Sequence, residues 1–377
     1  MSSYQKVHEI LTDFNIHYLY GIPGEGILDL LNDLADGSHH FVSARQMWAA
    51  GYMAMGDAWI SGRPALCAAG DAYGVELIRP LREARRHRLP VVILACGDWI
   101  PLLDPVIKQR FDTAEGGDWT ALLDSALQAA AREPAAPVLL ALPGSETAPA
   151  FRPSEDPAFR DGRRPAAERR EEWKGMKDQL TQGPDFPPTP IPIFETLQQI
   201  LTPDDLILCD GGLVGLWAER FLEPLSAGRL FVPPPGATPG AASPLALGAR
   251  LAHPEGRVIV ITDDASYNTS VLEIETMRRM GASIVTLVFR SSHWEWARVR
   301  QEQLYNRTAF VEYRCPNLIR LTQVAGGKSV RLERGDSLKS HLKYAFTLKG
   351  PVTIDCPVDM RGAAAFIKDG GGPVSGS

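Results

Sequence analysis

Short apolar runs alternate with amphipathic stretches along most of the chain. Val7, Ile10, Leu11 and Phe14 recur at helical spacing, and so do Ile27, Leu28, Leu30, Leu31 and Leu34. Around them the pattern predicts strands over 17–20, 41–42, 65–69 and 90–95. It also predicts a helix of small residues over 48–59 and another ending near Arg88. The strand over 90–95 is almost wholly apolar. Strands that are apolar on both sides must be covered on both faces, which a parallel sheet with crossover helices achieves.

The alternation stops at 151–190. That stretch is rich in Pro, Arg, Glu and Asp and poor in large aliphatic residues. It reads as a linker, partly helical over 166–180. The pattern then resumes, with strands over 206–209, 258–262 and 284–289 and helices over 244–251 and 272–280. The halves also end alike: residues 136–143 and 350–357 are each a final apolar strand opened by Pro137 or Pro351. The fold class expected is α/β, two doubly wound parallel sheets with no third domain between them. The expected divisions are a domain at 1–148, a linker at 149–190, a second domain at 191–365 and a Gly-rich flexible tail at 366–377.

Composition narrows the picture further. A formal net charge of −6 over 377 residues argues against a nucleic-acid partner. No apolar run approaches eighteen residues, so no membrane span is expected, and residues 1–9 lack the apolar stretch of a signal peptide. Cys67, Cys96, Cys209, Cys315 and Cys356 have neither zinc-type nor redox-type spacing. They read as buried thiols of a cytoplasmic protein.

Several motifs, taken in order, resemble those of the thiamine-diphosphate-dependent enzymes of the acetolactate synthase and 2-oxoacid decarboxylase type. They are Gly21 to Glu25, Gly62-Arg63-Pro64, Asp210-Gly211-Gly212, the Gly-rich run 236–249 around Gly240, and 257–267 with its Asp263-Asp264 pair. The first half is similar to a pyrimidine-binding domain and the second to a diphosphate-binding domain. The short layout is similar to that of sulfopyruvate and phosphonopyruvate decarboxylases. The resemblance implies thiamine diphosphate and Mg²⁺ as cofactors, held between two subunits. The chain is therefore expected to be a homodimer or a dimer of dimers, with Trp48 and Tyr52 lining the interface, and a further protein partner stays open.

By that resemblance, the site has departed from the family pattern in five respects, the metal anchor of Asp263 and Arg290-Ser291 counting as one. Met47 aligns with the glutamate that drives the aminopyrimidine to its imino form, and a thioether cannot exchange a proton at neutral pH. Plain core packing is the other reading of Met47. Asp264 keeps the place of a magnesium-binding aspartate, but Asp263 replaces a glycine before it. Arg290-Ser291 stands where two asparagines are usual, leaving Asp264, Ser291 and the backbone of His293 as the metal set. A strand-end cap is the other reading of Asp263-Asp264. Gly240, Asp264, Ala265, Ser266 and Ser291 are the expected cofactor contacts. Leu213-Val214 follow Asp210-Gly211-Gly212 where polar side chains are usual, Pro239 replaces a bulky aliphatic residue, and Gly70 to Gly74 replaces a Ser-Gly-Pro-Gly loop. Binding of thiamine diphosphate and Mg²⁺ is accordingly expected to be weak or absent.

Two further features are left with paired readings. Arg79, Arg82, Arg85, Arg86 and Arg88 form a basic run, either a solvated face or a clamp for an anion. Trp294-Glu295-Trp296 either walls a pocket or lies in a subunit interface. The functional expectation is a degenerate relative, a non-catalytic subunit or a repurposed pocket. The alternative is an atypical lyase or carboligase acting on a 2-oxo acid, since glyoxylate carboligase, which this chain resembles at the Met47 position, has an apolar residue there and is still an enzyme.

Overall fold

The structure, a computed structural model, describes residues 3–35, 37–70, 73–113, 119–143, 186–223, 225–233 and 237–360. The expected linker up to residue 185 and the expected tail lie outside the described residues. Two compact units are present, Met1–Phe159 with Leu247–Pro254, and Arg160–Ala246 with Glu255–Ser377.

In the first unit the strands are β1 (Tyr18–Ile22), β2 (His40–Ser43), β3 (Ala65–Ala69), β4 (Val91–Ala95), β5 (Gln109–Asp112) and β6 (Val138–Ala141). They form one sheet in the order β2-β1-β3-β4-β6-β5. Every pairing is parallel. The second unit repeats this with β7 (Leu206–Cys209), β8 (Leu230–Phe231), β9 (Val258–Asp263), β10 (Ile284–Arg290), β11 (Lys328–Arg331) and β12 (Val352–Pro357). Its order, β11-β12-β10-β9-β7-β8, is the same order read from the other edge. The matching final strands expected from the two halves are therefore β6 and β12, in equivalent places.

Burial explains why the central strands were legible. Strands β3, β4, β6, β7 and β12 are buried at every position. The edge strands β5, β8 and β11 were not expected, because β5 and β11 are not apolar runs, β8 is only two residues long, and each has a partly or fully exposed position. The helix expected over 272–280 is Glu273–Arg279, preceded by a separate short helix, Asp264–Ser270. Each unit packs its own core around its sheet, one including Leu66, Val92 and Leu140, the other Phe194, Trp217 and Phe289.

The helix Met47–Ser61 is buried over most of its length. Its small residues let it lie close to neighbours: a Cβ on Gly51 would stand 2.5 Å from Pro80. It ends at Gly62, whose left-handed φ of 68° lets its N–H cap the Ala58 carbonyl. Tyr52 is 2% exposed and Trp48 meets it edge-on at 6.1 Å. The expectation that Tyr52 lines a subunit interface is not met, because its own chain already encloses it.

The same helix buries a carboxyl group. Asp57 is 8% exposed and accepts a 2.9 Å hydrogen bond from the Tyr20 hydroxyl. Burial raises its pKa from 3.8 to about 6, against the opposing effects of Tyr20 and Arg63. A folded-state pKa above the unfolded one means that the folded chain binds the extra proton. The contribution to stability is then complete below about pH 4 and is lost as pH rises through about 6. Asp57→Asn keeps an acceptor for Tyr20 and removes the ionisation. Urea unfolding is expected to show the variant more stable than the parent at pH 7.5, by up to about 3 kcal/mol, and equal to it near pH 4. A parent and variant with parallel pH profiles would refute the assignment.

Candidate functional site

An open parallel sheet presents its ligand crevice where successive connections leave in opposite directions, beyond the carboxyl ends of the strands. In the second unit that point lies between β7 and β9. Asp210 follows β7 there and is fully buried. Its Oδ1 accepts the Ala242 amide at 3.0 Å and its Oδ2 accepts the Thr262 hydroxyl. Burial pushes its pKa up to about 7. Asp210 therefore ties the Gly-rich segment to the strand ends. The Asp-Gly-Gly motif signalled its place but not this anchoring role.

Gly240 belongs to that segment and the structure shows why no other residue suits it. Its φ is +83°, and a Cβ would fall 2.1 Å from Thr269 Oγ1 and 2.7 Å from the Ser266 carbonyl. The contact is with the Asp264–Ser270 helix. Leu213 and Val214 are 2% and 1% exposed and point into the core. They do not line a crevice, so their aliphatic side chains neither remove nor supply contacts there. Pro239 is exposed, and its carbonyl accepts the Thr269 hydroxyl at 3.0 Å.

The Asp263-Asp264 pair divides its work. Asp263 is the N-cap of the short helix, accepting the Ser266 amide at 2.7 Å. Its backbone, at φ −91° and ψ 167°, is ordinary extended chain. The expectation that Asp263 crowds a turn needing glycine is corrected: any residue adopts this conformation, and Asp adds a cap. The Ser266 amide, satisfied by that cap, is one donor fewer for a ligand. Ala265 and Ser266 are buried at 6% and 4% exposure in the first turn of the helix.

Asp264 is fully buried at the first position of the helix. Its Oδ1 accepts the Ser291 amide at 3.3 Å and its Oδ2 the Ser292 amide at 3.0 Å. The expected neighbours are thus brought together, Asp264 with Ser291. His293 turns its Nδ1 to the Ser291 carbonyl at 2.7 Å, and its Nε2 stands 3.8 Å from Glu312. Ser291 Oγ is buried and has no hydrogen-bond partner among the described residues. It is an orphaned polar atom on the residue whose amide reaches Asp264.

Ser292 sits at φ +61°, a left-handed backbone that a non-glycine residue rarely adopts. Two bonds hold it there, its amide to Asp264 and its carbonyl from the Tyr313 amide. Tyr313 and Cys315 also crowd the carboxylate. Burial first, then Asp264, raises the pKa of both, that of Cys315 to about 12. No cluster of three or more His, Cys, Asp or Glu side chains among the described residues is arranged to hold a metal.

In the first unit the equivalent crevice lies between β1 and β3, at Gly21 to Glu25 and Gly70. A Cβ on Gly70 would lie 2.3 Å from the Glu25 carbonyl, so the two loops touch through backbone. Asp71 and Ala72 lie outside the described residues. Met47 is the first residue of its helix and is 1% exposed. The next amide, that of Trp48, donates to Glu76 Oε2 at 3.2 Å. Glu76 was not among the expected site residues, because it lies 29 positions away on a separate short helix, Gly74–Leu77.

Within the basic run Arg79, Arg82 and Arg88 are exposed, while the other two are engaged with their own chain. Arg85 donates to the Pro105 and Ile107 carbonyls, and Arg86 pairs with Glu83 at 2.9 Å. Trp294 is 46% exposed beside Tyr313, at the start of the Glu295–Tyr305 helix, and the adjoining Glu295 is tied to Arg298 at 2.8 Å.

Residues 1–112 match the family described as thiamine pyrophosphate enzyme, N-terminal TPP binding domain, and residues 210–356 match its C-terminal TPP binding domain. The chain belongs to the thiamine pyrophosphate enzyme family. Thiamine pyrophosphate is another name for thiamine diphosphate. The chain is similar to the acetolactate synthase of Bacillus subtilis (strain 168), 29% identical over 45% of this chain and 30% of that protein. It is also similar to the catabolic acetolactate synthase of Raoultella terrigena, 26% identical over 46% of this chain and 31% of that one. These matches span less than a third of either relative's length. A thiamine diphosphate-dependent 4-hydroxybenzoylformate decarboxylase of Rhodococcus jostii RHA1 shares the fold at a TM-score of 0.76. It is 13% identical, with 95% of this chain and 99% of that chain covered.

Within this thiamine pyrophosphate enzyme fold, Asp264 has a structural task that needs no metal. Asp264→Ala leaves the Ser291 and Ser292 amides without acceptors and frees the strained Ser292 turn. Urea unfolding in the presence of a chelator is expected to show a loss of about 2–3 kcal/mol. A loss under about 0.5 kcal/mol would mean that the carboxylate does not hold the turn.

Proposed function

We propose that this family member has a cofactor site that no longer runs conventional thiamine diphosphate chemistry, and that it serves as a non-catalytic subunit or binds another ligand there. One observation carries the reading. Met47, enclosed at 1% exposure, occupies the first turn of the helix where the resemblance requires a proton-exchanging carboxylate. The metal set supports it. Both Asp264 oxygens already accept backbone amides, the Ser266 amide is satisfied by Asp263, and Ser291 offers a single hydroxyl. These residues do not fit a magnesium–diphosphate anchor as the resemblance describes it.

A homodimer or dimer of dimers, and a cytoplasmic location, belong to the same proposal. The support for the location is the set of free thiols, with Cys67, Cys96, Cys209 and Cys356 buried and unbridged. Among the described residues no helix is long and apolar enough to cross a membrane. The linker boundaries at 149 and 190 are likewise proposed, on composition.

A second reading, an atypical lyase or carboligase acting on a 2-oxo acid, is favoured by one contact. Glu76 brings a carboxylate to the amide next to Met47. On this reading Glu76 stands in for the lost glutamate.

Calorimetric titration with thiamine diphosphate and excess Mg²⁺ separates the two. The first reading expects dissociation constants weaker than roughly 100 μM. It also expects thiazolium proton exchange, followed by NMR, to be no faster with the protein than without it. Met47→Glu alone should not restore exchange, whereas combined with Ser291→Asn and Asp263→Gly it should tighten binding, mostly through the latter two changes. Low-micromolar affinity in the parent, with exchange abolished by Glu76→Gln, would establish the second reading instead.

A further inference from the structure

The second unit contains a cavity of about 420 Å³ that none of the expected site residues explains. Its lining includes Arg290, Ser292, Arg314, Cys315, Asn317 and Arg331. Parallel pairing builds it. Arg290 ends β10 and Arg331 ends β11, on either side of β12, which carries Asp355. Asp355 is fully buried and accepts Arg290 Nε on one oxygen and Arg331 Nε on the other, both at 2.7 Å. One buried carboxylate therefore fixes two guanidinium groups through their inner nitrogens. The terminal nitrogens of both have no hydrogen-bond partner among the described residues. Arg314 adds a third guanidinium, exposed and likewise without a partner among the described residues.

Charge and shape select the ligand class. Three permanent cations face two buried carboxylates, Asp355 and, behind Cys315, Asp264, so the lining stays net positive. The volume falls in the usual range of small-molecule sites, about 300–1,000 Å³. A carboxylate has two oxygens in one plane and pairs best with one fork. Three forks arriving from three separate segments match an oxyanion with three oxygens pointing in different directions. The strained Ser292 backbone forms part of the same wall, as functional sites often show.

We propose that Arg290, Arg314 and Arg331 form a binding site for a tetrahedral oxyanion, free phosphate or the phosphate group of a small metabolite. The site does not depend on whether thiamine diphosphate binds.

The test is calorimetric titration of the full chain with inorganic phosphate, at low ionic strength and without added divalent cation. Parallel titrations use glycerol 3-phosphate and succinate. Saturable one-site binding of phosphate is expected. A tighter fit for glycerol 3-phosphate than for phosphate would assign the site to a phosphorylated metabolite, and the reverse to the free ion. Arg314 is exposed, so Arg314→Gln should fold normally and weaken binding about tenfold, the loss expected for one charge-assisted fork. Arg314→Lys should recover part of that loss, since it returns the charge without the fork. Arg79→Gln, in the basic run of the first unit, should leave binding unchanged. The proposal is overturned by non-saturable binding, by equal weakening in Arg79→Gln, by an unchanged Arg314→Gln, or by succinate binding as tightly as phosphate. Displacement of phosphate by low-micromolar thiamine diphosphate would also overturn it, because the cavity would then belong to the cofactor's own diphosphate.

Discussion

A parallel sheet covered on both faces leaves only its strand ends for polar chemistry. The whole arrangement of this chain follows from that restriction. In the second unit the central strand bodies are apolar apart from Thr286 and Thr353, and the charged groups gather toward the carboxyl ends: Asp210, Asp263, Asp264, Arg290, Arg331 and Asp355, with Thr262 among them. Each of these polar groups must be satisfied where it enters the interior, since an unpaired one would cost several times what a bond returns. Asp210 therefore holds the Ala242 amide, Asp264 the Ser291 and Ser292 amides, and Asp355 two guanidinium groups. The loops that define any ligand site are thus positioned by carboxylates buried at the ends of strands.

The same restriction decides what the sequence disclosed. Strand bodies such as Ala65–Ala69 and Leu206–Cys209 are unbroken apolar runs, and their limits could be read directly. The parallel order was legible too, from fully apolar strands separated by helices. Edge strands were not, because Lys328–Arg331 has no apolar run and takes its conformation from pairing with β12. The site divides along similar lines. Neighbours at the ends of adjacent strands, Asp264 after β9 and Ser291 after β10, were expected from motif spacing and do meet. Convergence from distant segments was invisible: Arg290, Arg314 and Arg331 share no motif, and only the pairing of β10 and β11 with β12 unites them. A contiguous basic run attracted notice instead, and its Arg85 and Arg86 are engaged with their own chain.

Some of the positions that depart from the family pattern also serve the fold of the chain itself. Asp263 caps a helix that glycine would cap more weakly, a difference of a few tenths of a kcal/mol. Met47 fills an enclosed position where a carboxyl would carry a desolvation cost, and Asp57, ten residues along the same helix, shows that cost in a pKa raised to about 6. Leu213 and Val214 add to the core. Residues that serve a ligand commonly strain or destabilise the free protein, and they persist only while the ligand is needed. Ser292, with its left-handed backbone, lies beside an arginine-lined cavity, so one of the strained positions of the second unit adjoins the proposed anion site. On the reading proposed here, that site lies across β9 from the β7–β9 crevice, at the ends of β10, β12 and β11.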